Sequence, residues 1–247
     1  MDATSAVLSY CGPAPLPENF WMRWNFDPVL LFAIAGCIAG FVLLRRDASP
    51  IERWSFAGAI FTLVVAFVSP LCALTVALFS ARVVHHVLLV AVAAPLLALA
   101  FRRQAKHVAT LTTPLLLLHT VVFWLWHAPD AYSLALSDTL VYWAMQLSLL
   151  GTAALLWSAI LAAGTGSAIV ALLGATIQMG FLGALLVFSP QALYVPHLAT
   201  TLAFGFDPLA DQQLAGLIMW VPASVPYLMA ALLRLLAMLQ PSEARQT

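Results

Sequence analysis

Apolar runs of roughly 20 residues, the length of a helix that crosses the hydrocarbon core of a bilayer, recur along almost the whole chain. No other feature narrows the fold as much. A backbone in lipid must satisfy its own hydrogen bonds, so it spans as helices or as a closed barrel. Runs this continuous, without strict alternation of polar and apolar residues, are helices. Composition agrees. With 63% hydrophobic and 8% charged residues, the chain has too little polar material to cover a soluble domain. Its formal net charge of zero provides no basic face for nucleic acid.

Hydropathy places seven spans at roughly 28–45, 54–78, 83–101, 109–127, 138–163, 168–189 and 212–234. Ser69-Pro70 interrupts the second, because proline removes a backbone donor. The stretch from Leu71 to Ser80 is then a separate short helix near the surface. No basic residue precedes Arg23 and prolines break 13–17, so no signal peptide is expected. The expected organisation is an external segment over 1–27, a single helical bundle over 28–239 and a cytoplasmic tail over 240–247.

Eight basic residues (Arg45, Arg46, Arg53, Arg102, Arg103, Lys106, Arg234 and Arg245) fall on one side of these spans; Arg23 and Arg82 fall on the other. The bias puts the larger set in the cytoplasm, the N-terminus outside and the C-terminus inside. Most acids land outside. Short connections make neighbouring helices antiparallel. The longest external connection, Ser189 to Leu209, is broken by prolines and is placed to form a lid. The three cysteines, Cys11, Cys37 and Cys72, show no paired spacing. Cys37 and Cys72 read as small apolar residues, and Cys11 as incidental rather than reactive or metal-binding.

Polar groups inside membrane helices are expensive and mark function by default. His85, His86, His127, His197, Asp211, Gln212 and Gln213 all map to the external side. Arg82 neighbours both His85 and His86 by helical spacing. Adjacent histidines point about 100° apart, so at most one, His86, is expected to face the bundle axis. The competing reading is an interfacial pair facing water or headgroups. His127 sits at a helix C-terminus beside Trp124 and Trp126, where capping is an alternative role. His119 is deeper and reads as a hydrogen-bonded core residue. Asp207 before Pro208, and Asp211 in the first turn, fit helix-start chemistry. Gln212, Gly216 and Met219 share a face, and Gly216 admits another helix closely. Imidazoles combined with the thioethers of Met145 and Met219 suit Cu(I). Packing is the commoner role of such methionines.

These motifs resemble the multi-spanning CtaG family of cytochrome c oxidase assembly factors. The likeness covers about Asp27 to Leu239. Its strongest segment runs from Leu209 through Asp211-Gln212-Gln213 and Gly216 to Trp220-Val221-Pro222. Supporting matches are Val68-Ser69-Pro70-Leu71, Phe79-Ser80-Ala81, His86-Val87-Leu88-Leu89, Ala94-Pro95-Leu96-Leu97, Trp126-His127-Ala128-Pro129 and Leu193-Tyr194-Val195-Pro196. The resemblance implies a multi-pass protein of the bacterial plasma (inner) membrane that helps to build a haem–copper oxidase, with a suspected part in copper delivery. His86, His127 and Asp211 match polar positions of the family's motifs. Two departures stand out: Arg82 and Gln146 occupy positions where the family often has histidine.

The leading expectation is therefore a non-enzymatic assembly factor, a chaperone that handles Cu(I) through His86, His127, His85, Asp211, Met219, Gln212 and Met145. Its partners would be oxidase subunits and the lipid bilayer, with no nucleic acid; a homo-oligomer is compatible with the bundle. The alternatives are a copper or small-solute transporter and a haem-binding membrane protein. A membrane enzyme using His127 and Asp211 ranks last, because no nucleophile motif or cofactor fingerprint is present.

Overall fold

A computed structural model describes residues 9–239; Arg245, the remainder of the 240–247 tail and residues 1–8 lie outside the described residues. The described chain is helical, without strands. Its helices are α1 (Pro28–Leu44), α2 (Pro50–Phe67), α3 (Leu71–Ala77), α4 (Phe79–Val87), α5 (Ala94–Ala100), α6 (Thr112–His127), α7 (Pro129–Ser137), α8 (Thr139–Ala162), α9 (Thr165–Phe188), α10 (Pro208–Trp220) and α11 (Val225–Leu239). Six helical stretches are long and apolar enough to cross a membrane: Pro50–Phe67, Phe79–Ala100, His107–His127, Thr139–Ala162, Thr165–Phe188 and Pro208–Leu239. The shorter apolar helix α1 lies where the sequence places the first of its seven spans.

Helix starts follow local chemistry. Asp27, Asp138 and Asp207 each accept a hydrogen bond from the backbone two residues on, and Pro28 and Pro208 occupy the first helical position. Ser49 and Glu52 form a reciprocal capping box at α2. At Ser69-Pro70 the second span stops, as the proline demands, and α3 follows. The connection after α6 differs from the sequence reading, which assigns it no helix: Pro129 opens α7, a nine-residue helix. A short 3-10 turn at Pro222–Ser224 breaks the last span into α10 and α11.

Between α4 and α5, residues Leu88–Ala93 form a wider, π-type turn. A proline ring clashes with the carbonyl four residues before it; for Pro95 that carbonyl is on Ala91, inside the widened turn. The Val90 carbonyl is thereby left to accept from Trp157 Nε1 at 3.0 Å and Tyr227 Oη at 3.3 Å. These bonds tie the central helix to α8 and α11.

Helices α9 and α10 approach each other closely. A β-carbon on Gly216 would lie 2.6 Å from the Gly183 carbonyl oxygen, and one on Gly183 would lie 2.8 Å from the Gly216 oxygen. The small-residue face expected at Gly216 is therefore in use.

The two ends of the bundle have different chemistry. At one, Arg45 and Arg103 pair with the buried Glu52 at 3.2 and 3.3 Å, and Arg103 also meets Asp47. Arg234 reaches the same end and donates to the Ile160 and Leu161 carbonyls. At the other end lie residues 9–27, α3, α7 and the 189–207 connection. A disulfide between Cys11 and Cys72, with Cα atoms 5.4 Å apart, fastens the N-terminal segment to α3 there. This corrects the reading of Cys11 as incidental and of Cys72 as a simple apolar residue. Cys37 is free and exposed on α1.

Candidate functional site

The site is built on α4, which runs inward from the end carrying the disulfide. Its N-terminus has no local side-chain cap, since Leu78 stands at the N-cap position. Asp211 of α10 supplies one from across the bundle. Its Oδ2 accepts from Phe79 N at 2.7 Å, and its Oδ1 accepts from Ser80 N at 3.3 Å and from the Ser80 hydroxyl. Asp211 keeps its expected place in the first turn of α10, but its hydrogen bonds cap α4 rather than its own helix. That work belongs to Asp207, which accepts from Leu209 N at 2.9 Å. With its oxygens committed to Phe79 and Ser80, Asp211 fixes the helix that carries Arg82, His85 and His86.

Both histidines of α4 are buried, which overturns the competing reading of an interfacial pair facing water or headgroups. The 100° between them remains, but α4 is packed on several sides, so each points at a different neighbour. His85 meets Phe67 of α2 edge-on, with ring centroids 4.9 Å apart. His86 meets His127 of α6 edge-on at 5.7 Å, and its own centroid lies 5.9 Å from that of His85. The result is a row of three imidazoles across the core.

His127 Nδ1 lies 2.7 Å from the Phe123 carbonyl, so Nδ1 carries the proton and Nε2 keeps its lone pair. Its own carbonyl accepts from Tyr194 Oη at 2.8 Å. The capping role and an available ring nitrogen therefore coexist in this residue. By contrast, neither ring nitrogen of His85 or His86 has a hydrogen-bond partner. Deeper in the bundle, His119 Nδ1 meets the Thr152 hydroxyl at 2.9 Å, the satisfied core histidine that its position suggests.

Arg82 lies one turn before His86 and is completely enclosed. Its guanidinium carbon sits 5.4 Å from the centre of the Tyr142 ring on α8. One turn along the same face of α8, Gln146 is buried with both amide atoms unpartnered. Met145 and Met219 are buried in the main apolar core.

The 189–207 connection covers this end, as the sequence suggests. Gln212 holds it from below: its Oε1 accepts from Leu193 N at 2.7 Å, and its Nε2 donates to the Leu186 and Gln191 carbonyls at 3.3 Å. Tyr194 stacks on Phe79 with centroids 3.8 Å apart. Thr200 Oγ1 donates to the Ala77 carbonyl at 2.6 Å. His197 Nε2 lies 2.7 Å from Tyr132 Oη. Burial pushes the Tyr132 phenol up to about 12, against the opposing effect of Arg82. Burial, with Arg82 second, lowers His197 to about 3. A protonated phenol therefore donates to a neutral imidazole, and the bond closes the cover over α7.

Of the residues named from the sequence, His85, His86 and His127 come together, while Met145 and Met219 are buried in the bundle's main apolar core. Asp211 and Gln212 instead anchor α4 and the cover. Among the described residues, no three His, Cys, Asp or Glu side chains gather as one metal-holding group. The sequence reading also passes over Tyr132 and Tyr142, and names Tyr194 only within a family-like motif. Tyrosine at a helix end suggests a membrane interface. The one available signal was the four-residue spacing of Tyr142 and Gln146 on α8.

A model of the family described as cytochrome c oxidase caa3 assembly factor (Caa3_CtaG) matches residues 35–240. No curated protein and no solved structure matches the chain. The matched stretch contains α4, the imidazole row, the cover and Asp211.

Proposed function

Since the chain belongs to the cytochrome c oxidase caa3 assembly factor family, we propose that it is a non-enzymatic assembly factor of the bacterial plasma membrane that handles Cu(I) for a haem–copper oxidase at its imidazole-rich end. The observation that carries this reading is the buried His86–His127 pair, with centroids 5.7 Å apart, inside the family-matched region. Polar side chains deep in a membrane bundle are retained against a desolvation penalty, and here they concentrate at one end.

Copper is the cargo in this reading, not a resident cofactor. His127 Nε2 has its lone pair free because Nδ1 is held by Phe123, the arrangement by which an outer hydrogen bond orients a ligating imidazole. His86 is the second donor. Imidazole and thioether together favour Cu(I) over harder divalent ions, and Met145 and Met219, buried in the main apolar core, are the candidate thioethers. A two-imidazole site with soft neighbours suits transfer rather than permanent storage.

Two features support an outward orientation of this end. The Cys11–Cys72 disulfide belongs in an oxidising compartment. The opposite end carries Arg45, Arg46, Arg53, Arg102, Arg103 and Arg234, the bias of cytoplasmic loops. Oxidase subunits would then dock against the cover formed by 189–207 and α7.

The test has two arms. Purified protein titrated with Cu(I) against a competing chelator is expected to bind one equivalent, lost in the His86→Ala/His127→Ala double variant. Binding that is absent, or equal in the variant, removes the copper half. A deletion strain is expected to lose oxidase activity and to regain it with the wild-type gene. Undiminished activity in that strain removes the assembly half.

A further inference from the structure

Near the imidazole row the core holds a charge without a contacting counter-charge. Arg82 is fully enclosed, and none of its three side-chain nitrogens has a hydrogen-bond partner. Every ion pair among the described residues lies at the basic end, on Arg45 or Arg103. Asp211, the other buried charged side chain at this end, spends its oxygens on Phe79 and Ser80. The Tyr142 ring centre lies 5.4 Å from the guanidinium carbon, and the neutral phenols of Tyr132 and Tyr142 stand beside it without supplying a counter-charge. A buried cation left in this way is strongly unfavourable.

The neighbouring unpartnered groups specify what satisfies it. His85, His86 and Gln146 each leave both polar atoms without partners. A guanidinium offers five N–H donors and no acceptor, a carboxamide offers two donors and one acceptor oxygen, and a neutral imidazole offers one donor and one acceptor. Donors therefore exceed acceptors across the cluster, and its fixed charge is the single positive charge of Arg82. An ion that meets this demand is an acceptor with one negative charge. It must also be small, because Arg82, His85, Tyr142 and Gln146 are all at most 1% exposed.

We infer that Arg82 and Gln146, with an imidazole N–H of His85 or His86, form a buried binding site for one monovalent anion of halide size. Arg82 supplies the charge, the Gln146 amide a directed donor, and Tyr142 the wall behind the guanidinium. The site requires no copper, although His86 is common to it and to the proposed function. It bears on that function in one respect: an anion at Arg82 cancels the repulsion between this guanidinium and any cation approaching His86.

The full-length protein, purified in detergent with sodium gluconate, is titrated with chloride and then with bromide at constant ionic strength. Its unfolding midpoint is followed. Both halides are expected to raise it saturably, and crystals grown in bromide should show an anomalous peak beside the Arg82 guanidinium. Gln146→Leu, which keeps the charge, should weaken the halide midpoint about tenfold, the scale of one hydrogen bond to an ion. Arg82→Gln should abolish the saturable rise. If Arg82→Gln fails to fold, the wild-type bromide structure and Gln146→Leu decide. A wild-type midpoint that follows ionic strength alone, or bromide crystals with water and no anomalous signal at Arg82, overturns the inference.

Discussion

The Asp211 carboxylate on α10 accepts a 2.7 Å hydrogen bond from the backbone N–H of Phe79, the first residue of α4. One side chain thus joins the family-matched α10 to the helix bearing Arg82, His85 and His86. Replacing Asp211 with alanine strands the Phe79 and Ser80 donors in a buried place. The expected loss is about 2–3 kcal/mol, the sum of a missing cap and unsatisfied buried groups. Asp211→Asn keeps one acceptor oxygen and should lose about half as much. Thermal unfolding of the purified variants measures both. Equal stability of Asp211→Ala and wild type would refute the capping role.

The Gly183–Gly216 contact leaves no room for a methyl group on either side. The obstructing atom on each side is a backbone carbonyl oxygen, 2.8 and 2.6 Å from the added carbon. Backbone does not swing away as a side chain does, so α9 and α10 must separate. Gly216→Ala is expected to destabilise by about 1–3 kcal/mol, as overpacking does. Gly40→Ala on α1, where no atom lies within 4 Å, serves as the control. Membrane accumulation and unfolding midpoints should drop for the first and stay level for the second.

The Cys11–Cys72 bridge closes a loop of 61 residues, for which loop-closure entropy gives about 4 kcal/mol. Cys72→Ser should lower the unfolding midpoint accordingly and release residues 9–27 from α3. Thiol counting gives an independent check. Denatured, unreduced protein should present one reactive thiol, Cys37, and all three cysteines after reduction. Three thiols before reduction would exclude the bridge.

What the sequence made legible, and what it hid, divides along local and non-local physics. The spans were readable because bilayer thickness sets their length. Pro70 and Pro208 marked a helix end and a helix start because proline's missing donor acts within one turn. The imidazoles of α4 and α6 fell at one end because an odd or even count of passes settles it. The Asp211 cap was hidden because cap rules look one to three residues away, whereas Phe79 is 132 positions distant. Its only local trace was Leu78, an N-cap residue with nothing to offer. Cys11 and Cys72 likewise pair through the course of residues 9–27 over α3, which no spacing rule encodes. Glu52 was overlooked at the basic end, although its capping box with Ser49 could have been read directly from Ser49-Pro50-Ile51-Glu52.

His197 provides a pH signature for the cover. Its imidazole is held neutral, down from 6.5 to about 3, first by burial and then by Arg82, while Tyr132 donates to Nε2. In the unfolded chain the same ring takes up a proton near its ordinary value. Between about pH 6.5 and 3 the unfolded state therefore binds more protons, so the stabilising contribution is complete above 6.5 and is lost as pH falls through that window. The slope contributed by one such group reaches at most about 1.4 kcal/mol per pH unit. His197→Gln keeps an acceptor for Tyr132 and removes the titration. Compared with wild type, its unfolding midpoint should decline less steeply from pH 7 to 4, and the two should differ least at neutral pH. Parallel profiles across this range would show that His197 is protonated as easily in the folded protein as in the unfolded chain, and the cover would then have to be held without it.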